Sequence, residues 1–377
     1  MDPFYRRDNT VLYSGDLRAV IPQVLQPSSV DYVVTDPPYG LSFMSKDWDY
    51  EVPGPEYWRV IHSACKPGAI MLAFGGTRTY HRLVCAIEDA GWEIRDCLMW
   101  LQGQGMPKCT DVGKMIDKSK GAEREVVGSK LDRPGYHLHE GKGDGCYGGG
   151  KGLHAPGTDA RLRASQITAP ATPEAARWTG WAVALKPAWE PVVVAMKPMD
   201  GTIVHNAMTH GVVGFNIDAA RIVCEGGSPS QKHRKGKVPV GDFNGWNVPS
   251  RNGYGDQRPG EATGRWPANL LMDEEAAVML DAQAGDVSRF FYVAKANRRE
   301  KNPAGMKNDH PTVKPLAFME HLLTLCSTPT GGVILDPFAG SGTTLVAARK
   351  LGRTCIGVEL SDHNCEIARQ RISELQL

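Results

Sequence analysis

Two short stretches carry residue types that chemistry would need. Near residue 36 the chain reads VVTDPPYG, where an apolar run ends in Asp36 and is followed by Pro37, Pro38 and Tyr39. Proline lacks a backbone donor and ends strands and helices. A carboxylate at the end of a buried strand is costly unless it is paired or working. The stretch reads either as a working acid beside a stiff turn, or as a strand-ending turn with a solvated acid.

The second stretch is ILDPFAGSGTTLVAARKLGRTCIGVEL. A buried strand ends in Asp336, a turn follows with Phe338, Gly340, Ser341, Gly342 and Thr343, and a helix leads to a strand ending in Glu359. Glycines let the backbone turn tightly and approach a ligand. The helix start offers unpaired N–H groups to an anion. An acid ending the next strand can accept bonds from ribose hydroxyls, and Glu359 lies 19 residues after Gly340, near the spacing for that role. The dinucleotide fingerprint wants glycine where Leu345 stands, and a phosphate loop wants Gly-Lys-Ser/Thr where Gly342-Thr343 stands. FAGSG resembles instead the S-adenosylmethionine turn of methyltransferases, with another nucleotide site or a purely structural turn as alternatives.

The elements that would hold these residues can be read from apolar patterning. TVLYSGD, VDYVVTD, AIMLAFGG and WEIRDCLMWL read as strands, and LRAVIPQVL, PEYWRVIHSACKPG and TRTYHRLVCAIEDAG as helices, the first interrupted by Pro22 and the second stopped by Pro67-Gly68. VDYVVTD is nearly all apolar, as in a parallel sheet covered on both faces. The regularity stops near residue 102, and a Gly-rich, polar stretch runs to about Trp178. Strand character returns in GWAVALKPAWEPVVVAMKP, a second irregular stretch spans about 200–300, and GGVILD, SGTTLVAARKLG, RTCIGVEL and DHNCEIARQRISEL alternate strand and helix again. Repeated alternation predicts an α/β fold with a mostly parallel, doubly wound sheet and an irregular inserted region.

Bulk composition is ordinary for a soluble globular protein. The 377 residues are 41% hydrophobic and 23% charged with a net charge of +1, so any nucleic-acid contact must come from a local patch. The nine cysteines form no CxxC pair, which suggests a reducing, intracellular setting. The opening MDPFYRRDNT has no apolar signal core, and no apolar run approaches the roughly 18–20 residues of a membrane span. The expectation is a cytoplasmic enzyme with no membrane partner.

DPPY early and DPFAGSGTT late in one chain, with HPTVKP (His310 to Pro315) just ahead of the second, resemble the amino-group DNA methyltransferases, which methylate N6 of adenine or N4 of cytosine. The motif order resembles the circularly permuted β class of bacterial and phage enzymes, over roughly residues 10–120, 180–200 and 285–375. The resemblance implies a Rossmann-like methyltransferase fold, S-adenosyl-L-methionine as cofactor without a metal, DNA as partner, and a homodimer by analogy. A cognate restriction enzyme and the recognition sequence are not written in one chain.

The resemblance also assigns roles. Asp36 and the carbonyl of Pro37 would accept the two N–H bonds of the target amine, Pro38 would stiffen the turn, and Tyr39 would stack on a base taken out of the duplex. Phe338, Gly340, Ser341, Gly342, Thr343, Asp336 and Glu359 would form the cofactor site. Thr312 and Lys314 of HPTVKP would join it, Lys314 meeting the methionine carboxylate or else standing as a surface lysine. Asp16 would contact the cofactor adenine or serve as a helix N-cap. DPPY favours N6 of adenine, since the N4-cytosine enzymes more often carry Ser at the first position. N4-cytosine is the alternative, and a dinucleotide-dependent oxidoreductase or a silent DNA-binding module are more distant ones. C5-cytosine chemistry needs a Cys nucleophile, usually after proline, and no Pro-Cys occurs.

The expected division is residues 1–104 as the first catalytic half, 105–180 as a Gly-rich insertion, 181–199 as a returning strand, 200–300 as the target-recognition region and 301–377 as the cofactor-binding half. QKHRKGK, with Lys232, Arg234, Lys235 and Lys237, is a local cationic run suited to phosphates, or else a solvated loop. GDFNGWNVPSRNGYGDQ offers amide side chains for base edges, and MPKCTDVGKMIDK resembles a stretch common in the subfamily. His137, His139, Cys146 and His154 are too loosely spaced for a favoured zinc site.

Overall fold

The computed structural model describes residues 1–41, 51–103, 110–130, 166–222, 264–294 and 313–374. Its strands are β1 (Tyr5–Arg7), β2 (Thr10–Ser14), β3 (Val30–Thr35), β4 (Cys65–Phe74), β5 (Glu93–Leu101), β6 (Val126–Ser129), β7 (Gln166–Thr168), β8 (Trp189–Met196), β9 (Leu270–Asp273), β10 (Tyr292–Ala294), β11 (Val333–Asp336) and β12 (Thr354–Glu359). Its α-helices are α1 (Leu17–Val24), α2 (Pro55–Ala64), α3 (Tyr80–Asp89), α4 (Val112–Ser119), α5 (Pro173–Arg177), α6 (Ile203–His210), α7 (Glu274–Ala284), α8 (Leu316–Leu325), α9 (Thr343–Lys350) and α10 (Asp362–Glu374).

One unit, residues 1–41, 48–103 and 189–377, carries a ten-stranded sheet in the order β1-β2-β12-β11-β3-β4-β8-β5-β9-β10. Neighbours run parallel from β2 to β4 and from β5 to β10. The pairing is antiparallel at β1–β2 and on both sides of β8. The last two strands of the chain thus sit between its second and third. Apolar residues alternate faces along the strands. Tyr32 and Val34 of β3 join a core with Leu316, Phe318 and Leu322 of α8 and Leu345 of α9. Val33 of the same strand joins the opposite core with Leu17 and Ile21 of α1, Trp58 and Ile61 of α2 and Leu83 of α3. Helices therefore cover both faces, which is why the central strands are apolar throughout.

α9 leads from β11 to β12, and α2 leads from β3 to β4, in opposite directions along the sheet. The carboxyl ends of the neighbours β11 and β3 therefore border a topological switch point, where open α/β sheets leave a crevice for ligands. DPPY and DPFAGSG both sit at that point.

Three local expectations are corrected. α2 ends at Ala64, and Pro67-Gly68 lies inside β4, where its register with β3 shifts between Val30 and Tyr32. Gly68 has φ +77°, and a Cβ there would come within 2.7 Å of the Val212 carbonyl, so the irregular start of the strand needs glycine. The strand read from GWAVALKPAWEPVVVAMKP begins only at Trp189. Part of the stretch 200–300 is regular, because β9, α7 and β10 extend the main sheet beyond β5. Strands of three or four residues are too short to show a period in sequence.

The second unit, residues 42–47 and 104–188, holds α4, α5 and the antiparallel β6–β7 pair. Asp117 of α4 is buried there and accepts bonds from the Ala171 N–H, the Thr172 hydroxyl and Arg124. Among the described residues no helix is long and apolar enough to cross a membrane.

Candidate active site

The two strand ends are tied to each other directly. The Thr35 hydroxyl, last in β3, donates to Asp336 Oδ1, last in β11, at 2.7 Å, and the Phe338 N–H donates to the same oxygen at 3.3 Å. Asp336 is buried, and burial pushes its carboxyl up to about 7. It therefore acts as an internal clamp that sets one turn against the other.

Beyond Thr35, Asp36 heads a cluster of ionisable side chains from three separate parts of the chain. The Tyr39 hydroxyl donates to Asp36 Oδ1 at 2.7 Å, and Lys314 Nζ lies 3.1 Å from Asp36 Oδ2. Lys314 also donates to Glu190 Oε2 at 3.0 Å and to the Tyr39 hydroxyl at 2.9 Å. Gln102 Nε2, just past β5, donates to Glu190 Oε1 at 2.6 Å. Lys314 Nζ sits 4.7 Å from the centre of the Phe74 ring and 5.3 Å from that of Tyr39, within cation–π range. Its side chain is only 7% exposed, against 22% for Asp36 and 26% for Glu190, so the lysine is inside and the carboxylates reach the surface.

Electrostatics separates the two acids. Burial pushes the Asp36 carboxyl up, and the Lys314 charge offsets only part of that. Burial also works to raise Glu190, but the Lys314 charge and its hydrogen bond outweigh it and hold Glu190 below the usual range. Burial disfavours the Lys314 ammonium, yet Asp36 and Glu190 together hold its pKa up. One cation between two carboxylates leaves the cluster with a net negative charge when all three are ionised.

The glycine turn is held differently. Gly340 has φ +52° and Gly342, the N-cap of α9, has φ +76°. A Cβ on Gly342 would approach Ala368 Cβ of α10 to 2.7 Å. The Gly340 N–H donates to Glu359 Oε2 at 2.8 Å, and Glu359 Oε1 accepts from the Ser361 N–H and from Asn364. Arg371 of α10 is buried and donates to the Ser341 carbonyl at 2.6 Å, and to the Ser341 and Thr343 hydroxyls at 3.0 Å each. The Phe338 ring packs against Trp58 at 5.9 Å between centroids and keeps partial exposure. Gly357 of β12 lies under Leu345, whose Cδ1 would stand 2.8 Å from a Cβ at that position. The close helix–strand approach that a glycine on the helix supplies in dinucleotide folds is supplied here by a glycine on the strand.

The remaining expected residues fall as follows. Asp16 caps α1, accepting from the Arg18 N–H at 2.9 Å and pairing with the Arg18 guanidinium, which holds its carboxyl below the usual range. Lys314 is not a surface residue, and it meets the acids of the DPPY side of the crevice. Thr312 lies outside the described residues, as do Lys232, Arg234, Lys235 and Lys237. Among the described residues no group of three or more His, Cys, Asp or Glu is placed to hold a metal, and His137, His139, Cys146 and His154 fall outside them. Sequence reading missed Glu190, Gln102 and Arg371. Glu190 was visible only as an acid opening a buried apolar strand, the same signal that marked Asp36.

A family model described as DNA methylase, of the N6/N4 type, matches residues 172–370. Among curated proteins, a stretch of 63 residues is 49% identical to the type II methyltransferase M2.DpnII of Streptococcus pneumoniae, covering 17% of this chain and 23% of the relative. A stretch of 78 residues is 41% identical to M.ScaI of Streptomyces caespitosus, covering 21% and 25%. The chain thus spans about a quarter of the length of the curated relatives it matches. Among solved structures, the cytosine-N4-specific PvuII DNA methyltransferase aligns over 99% of this chain and 89% of its own at 14% identity, with a TM-score of 0.49. M1.HpyAVI aligns over 97% and 100% at 14% identity, with a TM-score of 0.43.

Proposed function

The chain belongs to the N6/N4 DNA methylase family, and we propose that it transfers a methyl group from S-adenosyl-L-methionine to the exocyclic N6 amine of adenine in DNA. The observation that carries this reading is the position of Asp36, a partly exposed carboxylate at the end of β3, beside the glycine turn that ends β11. The turn suits the cofactor. Gly340 and Gly342 put no side chain over the strand ends, and Phe338 and Glu359 keep partial exposure there. Phe338, Gly340 and Glu359 would hold the cofactor, which when bound supplies an electrophilic methyl group.

The residues on the other side of the crevice prepare the nucleophile. An exocyclic base amine is a weak nucleophile because its lone pair is delocalised into the ring. The Asp36 carboxylate and the Pro37 carbonyl accept its two N–H bonds and draw the lone pair out of conjugation. The two prolines hold that carbonyl in place, so little reorganisation is left for the reaction itself. The Tyr39 backbone is pinned by the Thr79 hydroxyl at 2.5 Å. Its ring would offer a face to a base taken out of the stack, offsetting part of the unstacking cost. Adenine is favoured because Asp stands first in DPPY.

The test is methyl transfer from labelled S-adenosylmethionine to unmodified DNA, followed by long-read mapping of the modified bases. N6-methyladenine in a single sequence context is the expected result. N4-methylcytosine would overturn the choice of base, and the absence of label on DNA of any sequence would overturn the enzyme reading.

A further inference from the structure

Asp36 as drawn above has to accept one N–H of an incoming amine, yet both of its carboxylate oxygens are already engaged. Tyr39 donates to one oxygen and Lys314 pairs with the other. A buried ammonium released from a carboxylate with no second partner would be left desolvated and unpaired, which is strongly unfavourable. Glu190 removes that obstacle. Its Oε2 is 3.0 Å from the same Nζ and 3.2 Å from the Tyr39 hydroxyl, so both groups that occupy Asp36 also touch Glu190. Gln102 holds the other Glu190 oxygen at 2.6 Å and fixes the carboxylate in that direction.

We propose that Glu190 is a positioning residue which takes over Lys314 and the Tyr39 hydroxyl when the target amine binds Asp36, so that the acceptor is freed without stranding a buried cation. The inference rests on the methyltransferase reading of the Asp36 site. It assigns work to a residue of β8, a strand that carries neither of the two motifs. The exchange breaks and forms hydrogen bonds only. Lys314 keeps its charge throughout, and its distance to Glu190 already matches its distance to Asp36, so the handover needs no large movement.

The charges facing Asp36 come from its own turn (Tyr39), from the segment before α8 (Lys314), from β8 (Glu190) and from β11 (Asp336). The direction of each substitution follows. Glu190→Gln removes a negative charge that favours the protonated acid, so the Asp36 titration moves to lower pH. It also leaves Lys314 to Asp36 alone, which strengthens the pair the amine must displace. Lys314→Met removes the cation and moves the Asp36 titration to higher pH.

The test is the pH profile of methyl transfer to DNA by the full chain as wild type, Glu190→Gln, Glu190→Asp and Lys314→Met, with cofactor affinity and thermal midpoint measured alongside. Glu190→Gln is expected to lower kcat by roughly ten- to a hundredfold. Its acid limb should move down in pH while that of Lys314→Met moves up, with cofactor affinity unchanged in both. Glu190→Asp should recover part of the loss. Acid limbs that coincide with wild type in both variants would overturn the inference, and so would a Glu190→Gln enzyme with full kcat. If Glu190→Gln does not fold, Lys314→Met still decides, because an acid limb unshifted from wild type in that variant overturns the handover. A wild type that labels no DNA would instead overturn the reading on which the inference rests.

Discussion

At the end of β3 the polar groups that meet are ionisable side chains, Asp36, Tyr39, Glu190 and Lys314, from three distant stretches of chain. At the end of β11 they are largely backbone groups, the Gly340 N–H on Glu359 and the Ser341 carbonyl on Arg371. The first arrangement can change its hydrogen-bond pairing at little cost, because one cation is shared by two acids. The second cannot, because its geometry is set by positive φ angles and a buried guanidinium. A site for chemistry needs exchangeable partners, and a site that holds a cofactor needs a fixed shape. On the proposed reading the two turns differ as those demands differ, although each follows the end of a buried parallel strand.

The sharpest way to separate the two turns is Asp36→Ala. The variant is expected to lose methyl transfer by about two to four orders of magnitude, the range for a positioned catalytic group, while calorimetry gives a cofactor dissociation constant close to that of wild type. Lost cofactor affinity with retained turnover would merge the two turns into one functional piece.

Arg371→Met attacks the other side of the comparison. Its three bonds to Ser341 and Thr343 are made by a buried charged donor, so their loss is expected to destabilise the fold by about 2–4 kcal/mol and to weaken cofactor binding. Chemical denaturation and calorimetry read both effects. A variant that binds cofactor normally would show that the turn keeps its shape without the brace.

Asp336 joins the two turns, and its effect shows in how stability depends on pH. Its folded-state value near 7 is raised above that of an unfolded aspartate, so the protonated form stabilises the fold. That contribution is complete below pH 4 and is lost as pH rises through 7. The difference amounts to at most about 4 kcal/mol on the linkage scale. Asp336→Asn should therefore flatten the dependence of thermal midpoint on pH between 5 and 8.5, relative to wild type. Parallel curves for the two proteins would show that Asp336 is not the group titrating there.

The sequence by itself determined the α/β class, because the strands of a sheet covered on both faces are apolar runs separated by helices that present one apolar stripe. It also located Asp36 and the glycine turn, since proline and glycine mark backbone requirements that few other residues meet. It placed both at strand ends, the position from which an open sheet presents residues to a crevice. Asp16 was legible in kind but not in role, because an acid before a helix looks the same whether it caps the helix or faces a ligand. Only the tertiary structure showed that Lys314 is buried among acids. The segment HPTVKP states that a lysine precedes α8 and nothing of what it faces.

Glu190 and Arg371 became visible only with the fold. Glu190 is 154 residues from Asp36 in sequence, and it meets the cluster because β8 runs antiparallel between β4 and β5 and opens at the end of the sheet where the parallel strands finish. Arg371 reaches the glycine turn because α10 packs beside α9, with Ala368 against Gly342. Local patterning records which backbone conformations a residue tolerates. It does not record strand order or helix docking, and those decide which charges share one ammonium.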